Sequence, residues 1–225
     1  MLTLKNNLIA VIDTGSFVRN EVVARYSVIG DKLDDSKEVP HGSSIISLIL
    51  EQNPKAEIIS IKISDNGESK AEYLYKAIKK AIELNVNIIN IALAGPRNEK
   101  TSIVEEAIHE AIEKGIVVIS CTSPYGSNAD NYLPSGADKV IAVAPFDNEG
   151  NLASYSGIGH NVKYGVMANS TSGAAAILTG ILSKYDVNSK NQDKVINELI
   201  LERKDIFHTC FTEKDYPIEK IDTED

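Results

Sequence analysis

Short unbroken apolar runs alternate along this chain with stretches whose apolar residues recur every three or four positions. A run of the first kind, closed by turn residues, fits a strand covered on both faces, and the second spacing fits a helix with one buried stripe. LIAVI (8–12) ends in Asp-Thr-Gly, and EIISIKI (57–63) runs into the turn residues of SDNGES. In 71–84, Leu74, Ala77, Ile78, Ala81 and Ile82 make a helical stripe, followed by the strand VNIINIAL (86–93). SIVEEAIHEAIEKG (102–115) predicts a helix opened by a capping box of Ser102 and Glu105 and closed at Gly115. VVIS (117–120) and VIAV (140–143) are two further strands. After Ser172, the residues Ala174, Ala175, Ala176, Ile177, Leu178 and Ile181 leave almost no polar face, so that helix is expected at the centre. A second helix, 191–202, is amphipathic and expected outside. The alternation predicts an α/β fold: a doubly wound, mostly parallel sheet flanked by helices, in a single domain over 1–205. Residues 206–225 read as a charged, aperiodic tail, a candidate for docking on a partner.

Composition narrows the function classes. The 225 residues carry a net charge of −9 and no basic cluster, which argues against nucleic acid as a partner. No stretch approaches the roughly 20 apolar residues that span a bilayer, and the first residues, MLTLKNNLIAVIDTG, hold no apolar core ending in a cleavage site. The expectation is a cytoplasmic protein with no membrane partner. Cys121 sits in an apolar strand and reads as a small buried hydrophobe, and Cys210 falls in the tail, so no disulfide framework is implied. His109 lies among Glu106, Glu110 and Glu113 on a solvated helix, His160 in a loop and His208 in the tail. None shows metal-ligand spacing, and no metal or cofactor is expected.

In doubly wound sheets reactive groups collect at the carboxyl ends of strands. Asp13 stands at such an end, His41 opens HGSSIISLIL, a polar turn leading into an apolar helix, and Ser172 begins the buried helix. A helix start presents free N–H groups and the positive end of the dipole. Each residue alone has an ordinary reading: Asp13 as a turn former, His41 as a surface histidine, Ser172 as a helix cap.

Their ordered contexts resemble the subtilisin-like serine proteases. IAVIDTG is similar to that family's Asp motif, HGSSIIS to its His motif and NSTSGAAA to its Gly-Thr-Ser-Met-Ala motif, in the family's order. NVNIINIALAGP resembles the substrate-strand segment, KGIVVISCTSPYG the strand before the oxyanion loop, and KVIAVAPFDNEGNLASYSGIG the strand and turn that follow. The resemblance runs over about residues 8 to 203. It implies that Ser172 attacks a peptide carbonyl, His41 moves its proton, and Asp13 fixes the imidazole, with a peptide or protein as substrate. It also implies that Ala92, Leu93, Ala94 and Gly95 bind substrate as an added strand.

Several positions depart from the family pattern. Pro124 stands where the family places an asparagine that donates to the oxyanion, and proline has no such donor. In subtilisins the loss of that donor costs about 10²–10³ in rate. The backbone N–H of Ser172 remains, and Ser123, Tyr125, Asn128 and Asn131 are candidate substitutes. Met167-Ala168 runs almost directly into Ser170-Thr171-Ser172, where the family inserts a hairpin. The acidic segment Asp31, Asp34, Asp35 and Glu38 reads as a solvated loop, with a substrate-facing role for Lys or Arg as the alternative. Three functions stay open. One is an endopeptidase resembling subtilases that trim leader peptides from modified-peptide precursors. Another is a pseudo-protease that binds a peptide or protein without cutting it. The last, a nucleotide-binding or signalling module, has no G-x-G-x-x-G cradle after the first strand to support it.

Overall fold

The structure is a computed structural model describing residues 2–36, 38, 40–123 and 126–209. In chain order the elements are β1 (Leu8–Asp13), β2 (Val22–Ser27), α1 (His41–Gln52), β3 (Glu57–Lys62), α2 (Ala71–Glu83), β4 (Ile88–Ile91) and β5 (Gly95–Pro96). There follow α3 (Ser102–Glu113), β6 (Val117–Cys121), β7 (Tyr132–Leu133), β8 (Ile141–Phe146), β9 (Tyr164–Met167), α4 (Thr171–Leu182), α5 (Gln192–Glu202) and β10 (Ile206–His208). Eight strands form one sheet in the order β10-β9-β8-β6-β4-β1-β3-β2. Every pair is parallel except β10 with β9. The doubly wound α/β reading of the sequence therefore holds.

Period-two alternation along β1 explains why its run is apolar throughout. Ile9 and Val11 join the core built by α1, α4 and α5, whereas Ala10 and Ile12 join the core under α2 and α3. Both faces of the strand are covered, so neither set is polar. α4 is the central helix expected from its composition: nine of its residues are buried, among them Ala174, Ala175, Ala176, Leu178 and Ile181. A Cβ on Gly180 would lie 2.5 Å from the carbonyl oxygen of Ile49, so glycine there lets α4 approach α1 closely.

Three local features differ from the sequence expectation. The capping box lies one turn earlier than Ser102/Glu105. Asn98 and Thr101 cap a short 3₁₀ turn, Glu99–Thr101, that feeds α3, and Ser102 Oγ donates to the Glu99 carbonyl instead. The strand read as 86–93 is paired only over Ile88–Ile91, so Ala92–Ala94 fall between β4 and β5. Finally, the sheet runs three residues into the segment read as tail, because β10 pairs with β9 and Phe207 stacks on Phe146 at 4.9 Å between ring centroids. Residues 210–225 lie outside the described residues. Gly115, in the left-handed region at φ 87°, ends the α3 segment where the sequence places the stop.

Candidate active site

Strand order changes sides at β1: β2 and β3 lie on one side of it, and from β4 the chain winds outward through β6 and β8 on the other. The crevice beyond the carboxyl ends of β1 and β4 is the topological switch point, where doubly wound sheets bind ligands. A cleft of about 360 Å³ opens there, lined by Asp13, Thr14, His41, Ser64, Asn66, Gly67, Ala92, Leu93, Ala94, Cys121, Thr122, Thr171 and Ser172. The sheet thus brings Asp13, His41 and Ser172, separated by up to 159 positions in the chain, to one opening.

Each side chain is placed by its element. Asp13 is the last residue of β1 and 3% exposed. His41 is the first residue of α1, and its Nδ1 lies 2.8 Å from Asp13 Oδ1 and 3.0 Å from Oδ2. A carboxylate only accepts, so Nδ1 carries the proton and Nε2 presents its lone pair. The hydrogen bond to Asp13 holds the imidazole above its ordinary pKa of 6.5, outweighing burial, and the charges of Asp13 and Asp35 add to the rise. Ser172 is the second residue of α4. The cap of that helix is Ser170, whose Oγ accepts from the Gly173 amide at 2.9 Å, so the hydroxyl of Ser172 has no capping task. It donates to the Ala92 carbonyl at 3.1 Å. Among the described residues, no hydrogen bond joins it to His41.

Behind Asp13 stands a polar frame that the sequence reading did not assign. The Thr14 amide donates to Asp13 Oδ1 at 2.7 Å. Asp35, 5% exposed, accepts from Thr14 Oγ1 at 2.6 Å and from the Ser43 amide at 2.6 Å. Lys62, 1% exposed and paired with Asp13 across the sheet, donates to the Thr14 carbonyl at 2.5 Å and the Asp34 carbonyl at 3.1 Å. It also meets Asp65 Oδ1 at 3.0 Å. A lysine inside the apolar run EIISIKI was the available signal for that frame. The acidic segment does not line the cleft. Asp31 and Glu38 are exposed, Asp34 pairs with Arg25 at 2.5 Å, and Asp35 turns inward to the frame.

The remaining expected positions divide. Ala92, Leu93 and Ala94 line the cleft, and Gly95 begins the two-residue pairing of β5 with β7 and lines an adjoining apolar groove. Ser123 is fully buried and its Oγ donates to the Ser127 carbonyl at 3.0 Å, away from the cleft. Asn128 caps a 3₁₀ turn by accepting from the Asp130 amide at 2.9 Å, and Asn131 does not line the cleft either. Pro124 and Tyr125 lie outside the described residues. His160 pairs with Asp130 in an exposed loop, His109 is exposed on α3, and His208 ends β10. Among the described residues no group of three or more His, Cys, Asp or Glu side chains is placed to hold a metal ion, and no helix is long and apolar enough to cross a membrane.

Comparison with known proteins places the chain in a family. The model of the "Subtilase family" matches residues 5–204. The chain belongs to the subtilase family. Among curated subtilases, it is 26% identical to subtilisin DY of Bacillus licheniformis, the match covering 83% of this chain and 80% of that protein. It is also 26% identical to the minor extracellular protease Epr of Bacillus subtilis (strain 168), over 72% of this chain but 27% of Epr. The match to the thermostable alkaline protease of Halalkalibacterium halodurans, 29% identical, spans 48% of that protein, so the chain covers half or less of these two relatives. Solved structures share the subtilase fold. A cold adapted subtilisin-like serine proteinase superposes with a TM-score of 0.75 at 17% identity, covering 85% of this chain and 81% of that one. The nisin leader peptidase NisP from Lactococcus lactis does so with 0.73 at 16%, covering 86% and 82%.

Proposed function

We propose that this subtilase is a serine endopeptidase acting through Asp13, His41 and Ser172, with the leader segment of a modified-peptide precursor as its substrate. The observation that carries the reading is the Asp13–His41 pair: a buried carboxylate holds Nδ1 and leaves Nε2 as a base on the cleft that Ser172 also lines. For the reaction the Ser172 hydroxyl leaves the Ala92 carbonyl and turns to His41, which lines the same cleft. Oγ then attacks the peptide carbonyl while Nε2 takes its proton, and the imidazolium, stabilised by Asp13, returns that proton to the leaving amine. Water repeats the sequence on the acyl-enzyme. The Ser172 amide, at the second position of α4 and without a partner inside the helix, is aimed for the oxyanion with the helix dipole behind it. Ala92–Ala94, outside both flanking strands, offer main chain for an extended peptide to pair with. The precursor class is suggested by two fold relatives, named as a nisin leader peptidase and a lanthipeptide protease.

A specific observation favours a second reading, a peptide-binding pseudo-protease: the Ser172 hydroxyl rests on Ala92 rather than on His41, and the asparagine position of the family holds Pro124. Fluorophosphonate labelling separates the two. The endopeptidase reading expects the parent to be labelled and both Ser172→Ala and His41→Ala to lose the label. A parent that resists the probe and leaves peptide libraries uncut overturns it in favour of binding alone.

A further inference from the structure

Asp35 is buried, and two of the bonds it makes lead toward His41. Its Oδ2 accepts from the Ser43 amide in the first turn of α1, the helix that begins with His41. Its Oδ1 accepts from the Ser36 amide at 2.8 Å and from the Thr14 hydroxyl at 2.6 Å. That hydroxyl in turn accepts from the Gly42 amide at 2.9 Å and lies 3.1 Å from Asp13 Oδ1. A threonine hydroxyl has one proton to give. With the shorter contact to Asp35, the proton is committed there, and Asp13 Oδ1 keeps its acceptor capacity for His41.

We propose that Asp35 is a positioning residue for His41: it holds the Thr14 proton and the Ser43 amide, and so fixes both the carboxylate and the helix start that the imidazole depends on. The inference rests on the proposed role of His41 and deepens it. Without the Asp35 charge, Thr14 turns its proton to Asp13 Oδ1 and competes with His41 Nδ1 for the same oxygen. An asparagine there must also face either Thr14 or the Ser43 amide with a second donor. Among the described residues, the titratable and charged groups around the imidazole are Asp13 on β1, Asp34 and Asp35 before α1, Lys62 on β3 with Asp65 beside it, and Cys121 on β6; α1 has no acid in its first turn and α4 brings only Thr171 and Ser172. Asp35 adds negative charge to this set, and it contributes to the raised pKa of His41.

The test is an NMR titration of the His41 imidazole, assigned by its loss in His41→Gln, in the parent, Asp35→Asn, Thr14→Val and Thr14→Ser, together with kcat and KM on a cleaved peptide. Asp35→Asn is expected to lower the titration midpoint and to reduce kcat by about ten- to a hundredfold. KM stays near the parent's because Asp35 does not line the cleft. Thr14→Val, which removes the hydroxyl tie to Gly42, lowers kcat, and Thr14→Ser restores it; this pair decides the matter where Asp35→Asn does not fold. An unmoved midpoint with parental kcat in Asp35→Asn, a loss confined to KM, or Thr14→Val indistinguishable from the parent overturns the proposal. The titration needs no turnover, so an inactive parent counts against the hydrolase reading alone.

Discussion

Gly42→Ala offers a sharp test of how tightly the Asp13–His41 geometry is held. A Cβ on Gly42 would lie 2.2 Å from the carbonyl oxygen of Gly15 and 3.2 Å from Asp13 Cβ. Carbon and carbonyl oxygen approach no closer than about 3.3 Å in comfort. The first turn of α1 must therefore retreat by about 1 Å, since backbone stands on both sides of the contact. His41 is the adjacent residue, and its bonds to Asp13 at 2.8 and 3.0 Å would open to about 4 Å, beyond hydrogen-bond range. Misplacement of a catalytic group by about 1 Å costs on the order of 10² in rate. Stability responds far less: overpacking costs about 1–3 kcal/mol, and replacing a helical glycine returns up to about 1. The expected result is a hundredfold fall in kcat/KM, measured on a quenched fluorescent peptide, in a protein whose chemical denaturation midpoint moves little. Parental kcat/KM with parental His41 titration would refute the claim that this contact sets the imidazole's position.

Three further outcomes are expected. Because the folded pKa of His41 is raised, the protonated pair contributes stability that is fully present below the ordinary value of 6.5 and is lost as pH rises through the folded value. Urea melts of the parent and His41→Gln should thus differ most at low pH and converge above neutrality; a gap that grows with pH would contradict the sign. Ser170→Ala removes the acceptor for the Gly173 amide and should destabilise the protein by about 1 kcal/mol, read by calorimetry. Burial pushes the Cys121 thiol up to about 12, so iodoacetamide should leave it unmodified in the native protein and alkylate it after unfolding, as peptide mass mapping would report.

What could be read from the chain follows from burial. β1, β3, β4, β6 and β8 are covered on both faces, and continuous apolar runs announce them. β2 is an edge strand of half-buried residues broken by Arg25, with a register shift near Val22, and its pattern is indistinct. β9 is four residues long and includes Gly165, over which the Phe146 ring packs, and β10 has three residues. Asp13, His41 and Ser172 each stand at an element end that sequence could locate, although their convergence needs the change of sides in strand order at β1. Asp35 gave no sign. It is one acid in an acidic run, and its burial depends on the tight passage at Gly15, φ 103°, where a Cβ would meet the Leu33 carbonyl at 2.7 Å. The direction of Ser123 was hidden for a related reason: a loop serine says nothing of which way it faces, and Gly157 packs so near that a Cβ there would strike the Ser123 hydroxyl at 1.9 Å.

The close crossing of α1 and α4 at Gly180 has a remote effect. His41 and Ser172 head two rods clamped together near their far ends, where Gly180 meets Ile49 and Gln52. Gly180 is eight residues beyond Ser172, about 12 Å along the helix. The spacing of the two helices is accordingly constrained by a hinge pin in the hydrophobic interior, like the jaws of pliers. A side chain as small as a methyl group at that pin would spread the jaws, so on the proposed function turnover would respond to a substitution in the core, outside the cleft.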